Sequence, residues 1–557
     1  MSKLSILCRT FIAIATLIAS VWPSVTMNPL FTNNMVLQHG MAVPVWGTAA
    51  ANETVSVSIN GRTKTTTASA TGAWKVNLDS LSIGGPLQMV IQGTNTITLS
   101  NVMAGDVWLC SGQSNMTIGL GAFSAYADSL KALTAGLGNV RLFSEKSDMQ
   151  GVGPWYACST SSIAGGFSAT AFFYGKYLYD SLKIPIGLIV SAVGATLLEQ
   201  WMSTQSVIDD PDLDTSTIMT GGSAGGLTNG LEASGLYRGF IVPIQPFAIR
   251  GTIWYQGEWN TNTSIGSPNK YQNRFPELIN GWRAAWGQGD FPFLFVQLPN
   301  YKSTDPWATI REAQRLTNRS VANTGIAIAI DLGNRVPGYP DSTELHPRDK
   351  RDVGYRLALI SLDHVYKHTN PAASGPLFKS LYIRNDTAHV SFDYVGSALV
   401  PKNGPLQTFQ IASANDTNFV NATAVISSHE VLVYKPGSKI ARVRYAYSSD
   451  PPSTLYNQEG LPAAPFMSYV SDITDVEWNG RINATVTRKR QSPEVAKIYD
   501  LTGRCIGQRC LSNFTKMSSA GSGAIPLAGS SRISKGVFIM QTISPGNAVV
   551  SRKIVMQ

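Results

Sequence analysis

Side chains that can do chemistry follow several short apolar runs of this chain. The first run, residues 107–110, is followed by Gly112, Gln113 and Ser114. A serine on a tight glycine-containing turn at a strand end exposes its hydroxyl over the sheet edge, where a nucleophile can attack an acyl carbon. The same residues also fit an ordinary strand-to-helix turn with serine as the N-cap. Ser114 is therefore a candidate nucleophile that needs partners elsewhere in the chain.

Two later segments can supply hydrogen-bond donors to a substrate. The run 186–190 leads to Gly194, whose N–H can approach a ligand closely because glycine has no Cβ. The run 253–255 leads to Asn260, whose carboxamide can donate to a tetrahedral oxyanion, an interaction worth about 3 kcal/mol in such sites. Each segment also fits an ordinary polar turn. The prediction therefore depends on the segments meeting at one sheet edge.

His346 is the candidate general base. It precedes a predicted helix and is one of six histidines, with Glu344 and Asp341 two and five residues ahead of it. Asp331 ends the fifth apolar run. A histidine oriented by an acid can take the proton of a serine hydroxyl. A lone histidine is more often structural, but this one lies among the alternating apolar runs and helical patterns and directly precedes a helix, a setting that the other five histidines lack.

Composition excludes several classes of protein. The chain has 557 residues, of which 43% are hydrophobic and 14% charged, so it is neither disordered nor a collagen or coiled coil. The net charge is +9, but residues 481–557 contain 12 basic and two acidic residues, a net charge of +10. The body therefore offers no basic excess for nucleic-acid phosphates. No Cys/His cluster has zinc spacing, and we expect no metal or cofactor.

Residues 1–24 read as a signal peptide. Basic residues precede the apolar run 11–19, and small residues follow it. The run is shorter than the ~20 residues of a membrane-spanning helix, so we expect an exported protein. After export, disulfides between Cys110 and Cys158 or between Cys505 and Cys510, five apart in a predicted hairpin, are open alternatives.

Periodicity predicts four regions after the signal peptide. Residues 28–102 alternate at period two, as in a small antiparallel β domain. Residues 103–368 combine short buried runs with helical patterns at about 172–182, 270–286, 307–320 and 353–360, which indicates a parallel sheet covered on both faces. Residues 369–480 return to strands and turns, as in a β-sandwich, and residues 481–557 form a basic terminal β module. Ligands of such parallel sheets bind beyond the carboxyl ends of the strands.

Three motifs together resemble the sialate O-acetylesterase family of SGNH hydrolases. They are Gly105-Asp106-Val107-Trp108-Leu109-Cys110-Ser111-Gly112-Gln113-Ser114-Asn115-Met116, Trp254-Tyr255-Gln256-Gly257-Glu258 and His346-Pro347-Arg348-Asp349-Lys350. Shorter matches extend the resemblance from about residue 28 to about residue 470. The resemblance implies an α/β fold, a three-layer α/β/α flavodoxin-like parallel sheet flanked by small antiparallel β-sandwich domains. It also implies a serine esterase that removes acetyl groups from sugars.

Site residues follow from the resemblance. Ser114 is implied as nucleophile and His346 as base, with an oxyanion hole made by the N–H groups of Ser114 and Gly194 and by the Asn260 side chain. Many SGNH enzymes have an aspartate three residues before the histidine, where this chain has Thr343. We therefore take Glu344 as the acid, with Asp341 and Asp331 as rivals and a Ser–His dyad as a further alternative. We assign substrate binding to Gln113, Gln256 and Glu258. Ala195 and Arg238 stand where the family pattern leads us to expect glycine and asparagine.

The terminal segment resembles a different family. Ile498-Tyr499-Asp500-Leu501-Thr502-Gly503-Arg504 and Gly536-Val537-Phe538-Ile539 are similar to the C-terminal sorting domains of secreted gram-negative bacterial proteins. This resemblance implies secretion or cell-surface attachment, with the secretion machinery or the cell surface as partner of residues 481–557. We therefore predict a secreted carbohydrate O-acetylesterase acting on an acetylated carbohydrate. The alternatives are an acetylxylan esterase and a non-catalytic carbohydrate-binding surface protein with a degenerate site.

Overall fold

The structure is a computed structural model that describes most of the chain. It covers residues 24–469 except 124–125, 127–128, 146–152, 214–231, 334, 337–338 and 415, and it gives the backbone alone for the strands beyond residue 472. Side chains of residues 335–336 and 339–342 are also outside the description. Residues 1–23, nearly all of the expected signal peptide, lie outside the described residues. The chain divides into two compact units, residues 1–477 and residues 478–557.

A mainly parallel sheet lies at the centre of the first unit. Its strands are β1 (Thr96–Gly112), β2 (Val140–Ser144), β3 (Tyr156–Ala157), β4 (Ile186–Ala192), β5 (Gly251–Tyr255), β6 (Phe293–Gln297) and β7 (Thr324–Ile328). The order is β3-β2-β4-β1-β5-β6-β7, with only β3 antiparallel to its neighbour. The five apolar runs form β1, β4, β5, β6 and β7, as predicted. The chain places β2, β3 and β4 on one side of β1 and then crosses to β5, β6 and β7 on the other side. The carboxyl end of β1 is therefore a point where ligands bind in such sheets.

Helices connect these strands. The principal ones are α1 (Ser114–Thr117), α2 (Ala169–Leu182), α3 (Tyr271–Trp286), α4 (Trp307–Ser320) and α5 (Lys350–His364). Short helices or helical turns span Leu120–Ala122, Leu130–Thr134, Thr160–Ala164, Leu198–Gln200, Thr204–Asp209, Tyr237–Ile241, Val242–Ile244 and Trp259–Thr261. α2 packs against α5, and α3 packs against α4. All four predicted helices are therefore present, and their apolar faces join the strands in one core.

The N-terminal β region is continuous with the central sheet. Its strands are Thr26–Met27, Val36–Gln38, Val43–Thr48, Thr54–Ile59, Arg62–Thr67, Ala73–Leu78 and Gly84–Gln92. The first half of β1 pairs with Gly84–Gln92 and the second half enters the parallel sheet. The expected boundary at residues 102 and 103 thus falls within a single strand. One strand thus belongs to both parts: its first half pairs with the N-terminal region, and Ser114 follows its other end.

A second β region follows α5 and has its own core. Its strands are Leu377–Arg384, Thr387–Asp393, Leu399–Pro401, Phe409–Ala412, Val420–Asn421, Thr423–Ser427, Glu430–Tyr434, Arg442–Tyr445, Leu455–Asn457, Phe466–Met467 and Ile473–Val476. They form a five-stranded, a four-stranded and a two-stranded sheet. Arg311 of α4 is fully buried and donates hydrogen bonds to the carbonyl oxygens of Ser448 and Ser449 at 2.5 and 2.9 Å. These bonds join the second β region to the central domain.

The second unit contains a four-stranded antiparallel sheet and a two-stranded one. Its strands are Val495–Tyr499, Cys505–Cys510, Ile525–Pro526, Arg532–Ile533, Gly536–Ile543 and Val549–Met556. Cys505 and Cys510 are the two ends of one strand, which places their Cα atoms roughly 16 Å apart at ~3.3 Å per residue. A disulfide needs less than ~7 Å, so the expected alternative of a bridge across a hairpin is wrong. Cys110 and Cys158 are both buried free thiols.

No helix among the described residues is long and apolar enough to cross a membrane.

Candidate functional site

The turn after β1 presents Ser114 at the sheet edge. Gly112 has φ +137°, and a Cβ there would lie 2.1 Å from the carbonyl oxygen of Tyr255, so only glycine permits this approach to β5. The Gln113 N–H donates to that same oxygen at 2.9 Å, which ends the strand. Ser114 then begins α1 and is half-buried, whereas its neighbours Gln113 and Asn115 are buried. The hydroxyl therefore stands above the carboxyl end of β1.

His346 reaches this serine from a distant part of the chain. Its Nε2 lies 2.9 Å from Ser114 Oγ. The segment before it pairs Arg335–Val336 with Tyr339–Thr343, and α5 begins four residues after it. Burial, with a further contribution from the nearby Lys350 ammonium, lowers the pKa of His346. The imidazole is therefore neutral at neutral pH. With its own proton on Nδ1, it accepts a hydrogen bond from the Ser114 hydroxyl at Nε2.

Two of the three candidate acids are paired with arginines. Glu344 receives bonds from Arg348 at 2.5–3.0 Å, and Asp331 receives bonds from Arg356 at 2.6 and 2.9 Å. The side chain of Asp341 lies outside the described part of the structure. No described side chain hydrogen bonds to Nδ1 of His346.

Thr343 occupies the position where the family pattern leads us to expect aspartate. Its hydroxyl accepts a hydrogen bond from the Lys302 N–H at 2.5 Å. Thr343 is buried, and this bond attaches residues 343–349, the histidine loop, to the segment after β6. The side chain at the position of the expected aspartate is thus engaged with backbone here.

The three predicted oxyanion donors lie in different settings. Ser114 contributes the first N–H of α1. Gly194 is adjacent, since a Cβ on Gly194 would lie 3.5 Å from the Cβ of Ser114. Ala195 has φ +56°, the left-handed region that favours glycine, so the glycine expected at this position would adopt this backbone conformation without strain. Asn260 is fully buried, with Oδ1 accepting from the Leu198 N–H at 2.9 Å and Nδ2 donating to Glu199 at 3.0 Å.

The residues assigned to substrate binding bond within the protein. All three are buried. Gln113 Oε1 accepts from the N–H groups of Gly257 and Trp259 at 3.4 and 3.3 Å. Gln256 donates to the Thr196 carbonyl oxygen at 3.0 Å and to Asn260 Oδ1 at 2.7 Å. These bonds tie the turns after β1, β4 and β5 together, so Gln113 and Gln256 support the site from behind.

Glu258, the third of these residues, belongs to a buried cluster that sequence reasoning missed. Its Oε1 accepts from Asn115 Nδ2 at 2.6 Å, and Asn115 Oδ1 accepts from Lys350 Nζ at 2.5 Å. Burial raises the pKa of Glu258 and lowers the pKa of Lys350 to about 7. Asn115 and Lys350 both stand within the sequence motifs. Nothing in the sequence signals their role, because a lysine at a helix start is ordinarily exposed.

Arg238, which stands where the family pattern leads us to expect asparagine, forms an ion pair. Arg238 lies in the helical turn Tyr237–Ile241 and pairs with Glu232.

Among the described residues, no group of three His, Cys, Asp or Glu side chains has a geometry that could hold a metal ion.

The sequence is similar to that of known carbohydrate esterases. Residues 104–362 match the family model described as "Carbohydrate esterase, sialic acid-specific acetylesterase". Human sialate O-acetylesterase is 30% identical over 494 residues, an alignment that covers 79% of this chain and 92% of the human protein. The mouse sialate O-acetylesterase is 29% identical over 514 residues, covering 79% of this chain and 93% of the mouse protein.

A solved structure is also similar. The crystal structure of a carbohydrate acetylesterase from Xanthomonas citri matches with a TM-score of 0.70 and 34% identity, covering 80% of this chain and 99% of that one.

Proposed function

The chain belongs to the sialate O-acetylesterase family of carbohydrate esterases, and from this premise we propose that it hydrolyses acetyl esters on sugars through Ser114 and His346. It is a sialate O-acetylesterase-like carbohydrate acetylesterase, and an acetylated carbohydrate is the substrate class consistent with the family. The observation that carries the serine mechanism is the 2.9 Å separation of Ser114 Oγ and His346 Nε2, atoms of residues 232 positions apart.

The proposed reaction has two halves. Ser114 Oγ attacks the acetyl carbonyl carbon while His346 Nε2 takes the hydroxyl proton, and the resulting oxyanion receives hydrogen bonds. His346 then gives the proton to the departing sugar oxygen, which leaves an acetyl-serine. Water attacks this ester with His346 again as base, and acetate departs as Ser114 regains its proton.

The oxyanion donors in this proposal are the N–H groups of Ser114 and Gly194 and the side chain of Asn260. The closeness of Gly194 to Ser114 supports the second donor. Asn260 has one N–H engaged by Glu199, which leaves the other for a ligand. We further propose a three-layer α/β/α arrangement of the central domain, secretion through residues 1–24, and surface attachment through residues 481–557.

Covalent labelling tests the nucleophile. A fluorophosphonate forms a stable adduct with an activated serine, so we expect stoichiometric labelling of the full-length protein and an adduct on the peptide that contains Ser114. Prior incubation with an aryl acetate should slow the labelling because both reagents need the same hydroxyl. An adduct on another serine, or none in a protein that releases acetate, would contradict the assignment.

Two carboxamide variants test the acid. Because Glu344 pairs with the exposed Arg348 side chain, we expect Glu344→Gln to retain kcat/KM within about threefold, and Arg348→Gln to match it. Asp341→Asn should lower kcat by about 10³–10⁴-fold if Asp341 orients His346. We would measure kcat and KM of these variants by steady-state kinetics on an aryl acetate. A loss below about tenfold for both acids would favour a Ser–His dyad, and a large loss for Glu344→Gln alone would restore Glu344 as the acid.

A substrate panel separates the remaining alternatives. Acetate release from O-acetylated sialic acid, with little release from acetylated xylan, would match the sialate O-acetylesterase relatives. The reverse preference would favour an acetylxylan esterase. Retention of the protein on a polysaccharide, with no acetate released from any ester, would instead indicate a carbohydrate-binding protein with a degenerate site.

A further inference from the structure

A buried lysine lies next to the catalytic pair and has no part in the mechanism above. Lys350 is the first residue of α5, and its side chain is fully buried. Its Nζ donates to Asn115 Oδ1 at 2.5 Å, and the rings of Phe123 and Tyr255 lie 5.9 and 5.5 Å from the ammonium. Burying an ammonium is costly unless it is paired and hydrogen-bonded. Its position at the centre of the site therefore points to a role beyond packing.

Asn115 connects this lysine to the rest of the site. Its Nδ2 donates to Glu258 Oε1 at 2.6 Å and to the carbonyl oxygen of Leu345 at 3.2 Å. Asn115 directly follows the nucleophile Ser114, and Leu345 directly precedes the base His346. One carboxamide thus joins the turn after β1, the turn after β5 and the histidine loop. With Oδ1 toward the ammonium, every donor of this carboxamide faces an acceptor, which defines its orientation.

The charged and titratable groups around Lys350 come from three elements. Glu258 approaches from the turn after β5, where the Tyr255 hydroxyl is also buried, and Asp349 is the N-cap of α5. His346 faces the ammonium from the histidine loop, on which the Glu344–Arg348 pair is turned to solvent.

Two pKa shifts follow from this environment. Burial lowers the pKa of Lys350 to about 7, and the pKa of His346 is lowered below its ordinary value by burial and by Lys350. Burial is the larger cause of both shifts, and the positive charge of protonated Lys350 adds to the lowering of the His346 pKa.

We propose that Lys350 is a positioning residue for acetyl transfer. Through Asn115 and Glu258 it holds the serine turn against the histidine loop, and its positive charge keeps His346 neutral and able to accept the serine proton. The proposal rests on the proposed serine mechanism. Lys350 touches neither the substrate nor the reacting atoms, and it acts through Asn115 on Ser114 and through its charge on His346.

The test compares pH profiles of Lys350→Met and the wild type on an aryl acetate. Activity rises with pH as His346 loses its proton, and removing a nearby cation makes that proton harder to remove. We therefore expect the acidic limb of kcat/KM to move up by about 0.5–1 pH unit. We also expect kcat to fall about 10–100-fold, with KM changed less than about threefold, because the turn and loop lose their common anchor.

A second variant separates electrostatics from folding. Lys350→Met leaves the buried Glu258 without its cation, which lowers the melting temperature. The double variant Lys350→Met/Glu258→Gln removes that unpaired carboxylate while keeping an acceptor for Asn115. Its melting temperature should recover toward that of the wild type, while its acidic limb stays at the higher pH. Lys379→Met is the matched control, because this exposed lysine pairs with Asp393 on the second β region and should leave the profile unchanged.

The outcomes distinguish this proposal from the proposed function. If the wild type is an active, Ser114-dependent esterase and the acidic limb is the same in both Lys350 variants, the proposal about Lys350 is wrong. The same holds if activity simply follows the melting temperature and the double variant regains the wild-type profile. If the wild type releases no acetate, or releases it without Ser114, then the proposed function itself has failed.

Discussion

Ser114→Ala is expected to lower the rate of acetate release by at least about 10⁴-fold, while the fold and substrate affinity persist. The Ser114 oxygen is the attacking atom, and the fold holds it next to the acetyl carbon. In the alanine variant a water molecule must attack instead, and it is not held in this position. Ser114 is half-buried at the start of α1. Apart from the contact with His346, it accepts the Thr117 hydroxyl at its backbone carbonyl oxygen, which alanine keeps, so the variant should fold. The measurement is acetate release with a sensitive enzymatic assay, together with calorimetric binding of a slowly hydrolysed acetylated sugar.

A control for this variant stands three residues earlier. Ser111 in β1 is fully buried, and its hydroxyl has no hydrogen-bond partner among the described residues. Like Ser114→Ala, Ser111→Ala removes one serine hydroxyl oxygen, but no hydrogen-bond partner is left unsatisfied. We therefore expect activity within about threefold of the wild type. Should Ser114→Ala keep a tenth or more of the wild-type rate in freshly purified, folded protein, another nucleophile must be sought.

Arg274→Met is expected to destabilise the protein by about 3–5 kcal/mol and to reduce activity as well. The Arg274 side chain in α3 is 4% exposed and bonds to Glu199 at 2.9 Å and to Asp210 at 2.6 Å, and both carboxylates are buried. Methionine would leave two negative groups without their cation. Glu199 also accepts from Asn260 Nδ2, so a shift of this carboxylate would displace a predicted oxyanion donor.

The matched control lies just before the same helix. Lys270 pairs with Asp212 at 2.5 Å, but its side chain is 48% exposed, so Lys270→Met should change the stability by less than about 1 kcal/mol. Chemical unfolding of the first unit and the melting temperature measure both variants. Equally small losses of stability for Arg274→Met and Lys270→Met would contradict this prediction. They would show that the buried ion pairs of Arg274 do not hold Glu199 and Asn260 in place.

Much of the central domain could be predicted because its strands are continuous apolar runs buried on both faces. β2 was missed because Arg141 interrupts its apolar run, and yet this arginine is buried beside Asn34 and Asn101. β3 has only two residues and no pattern of its own. The boundary expected between residues 102 and 103 falls within one long strand, because strand periodicity does not indicate which sheet a strand belongs to.

The residue types and their places in the sequence made Ser114, Gly194 and His346 candidates, because parallel strands bring their carboxyl ends to one edge. The structure places both Gly194 and His346 beside Ser114. Partner choice was settled only by the tertiary structure. Glu344 and Asp331 each have an arginine within reach, and Lys350 turns inward to a carboxamide from a segment 235 residues away. Such choices depend on which groups are buried together, since burial makes an unpaired charge costly, and no local pattern records that.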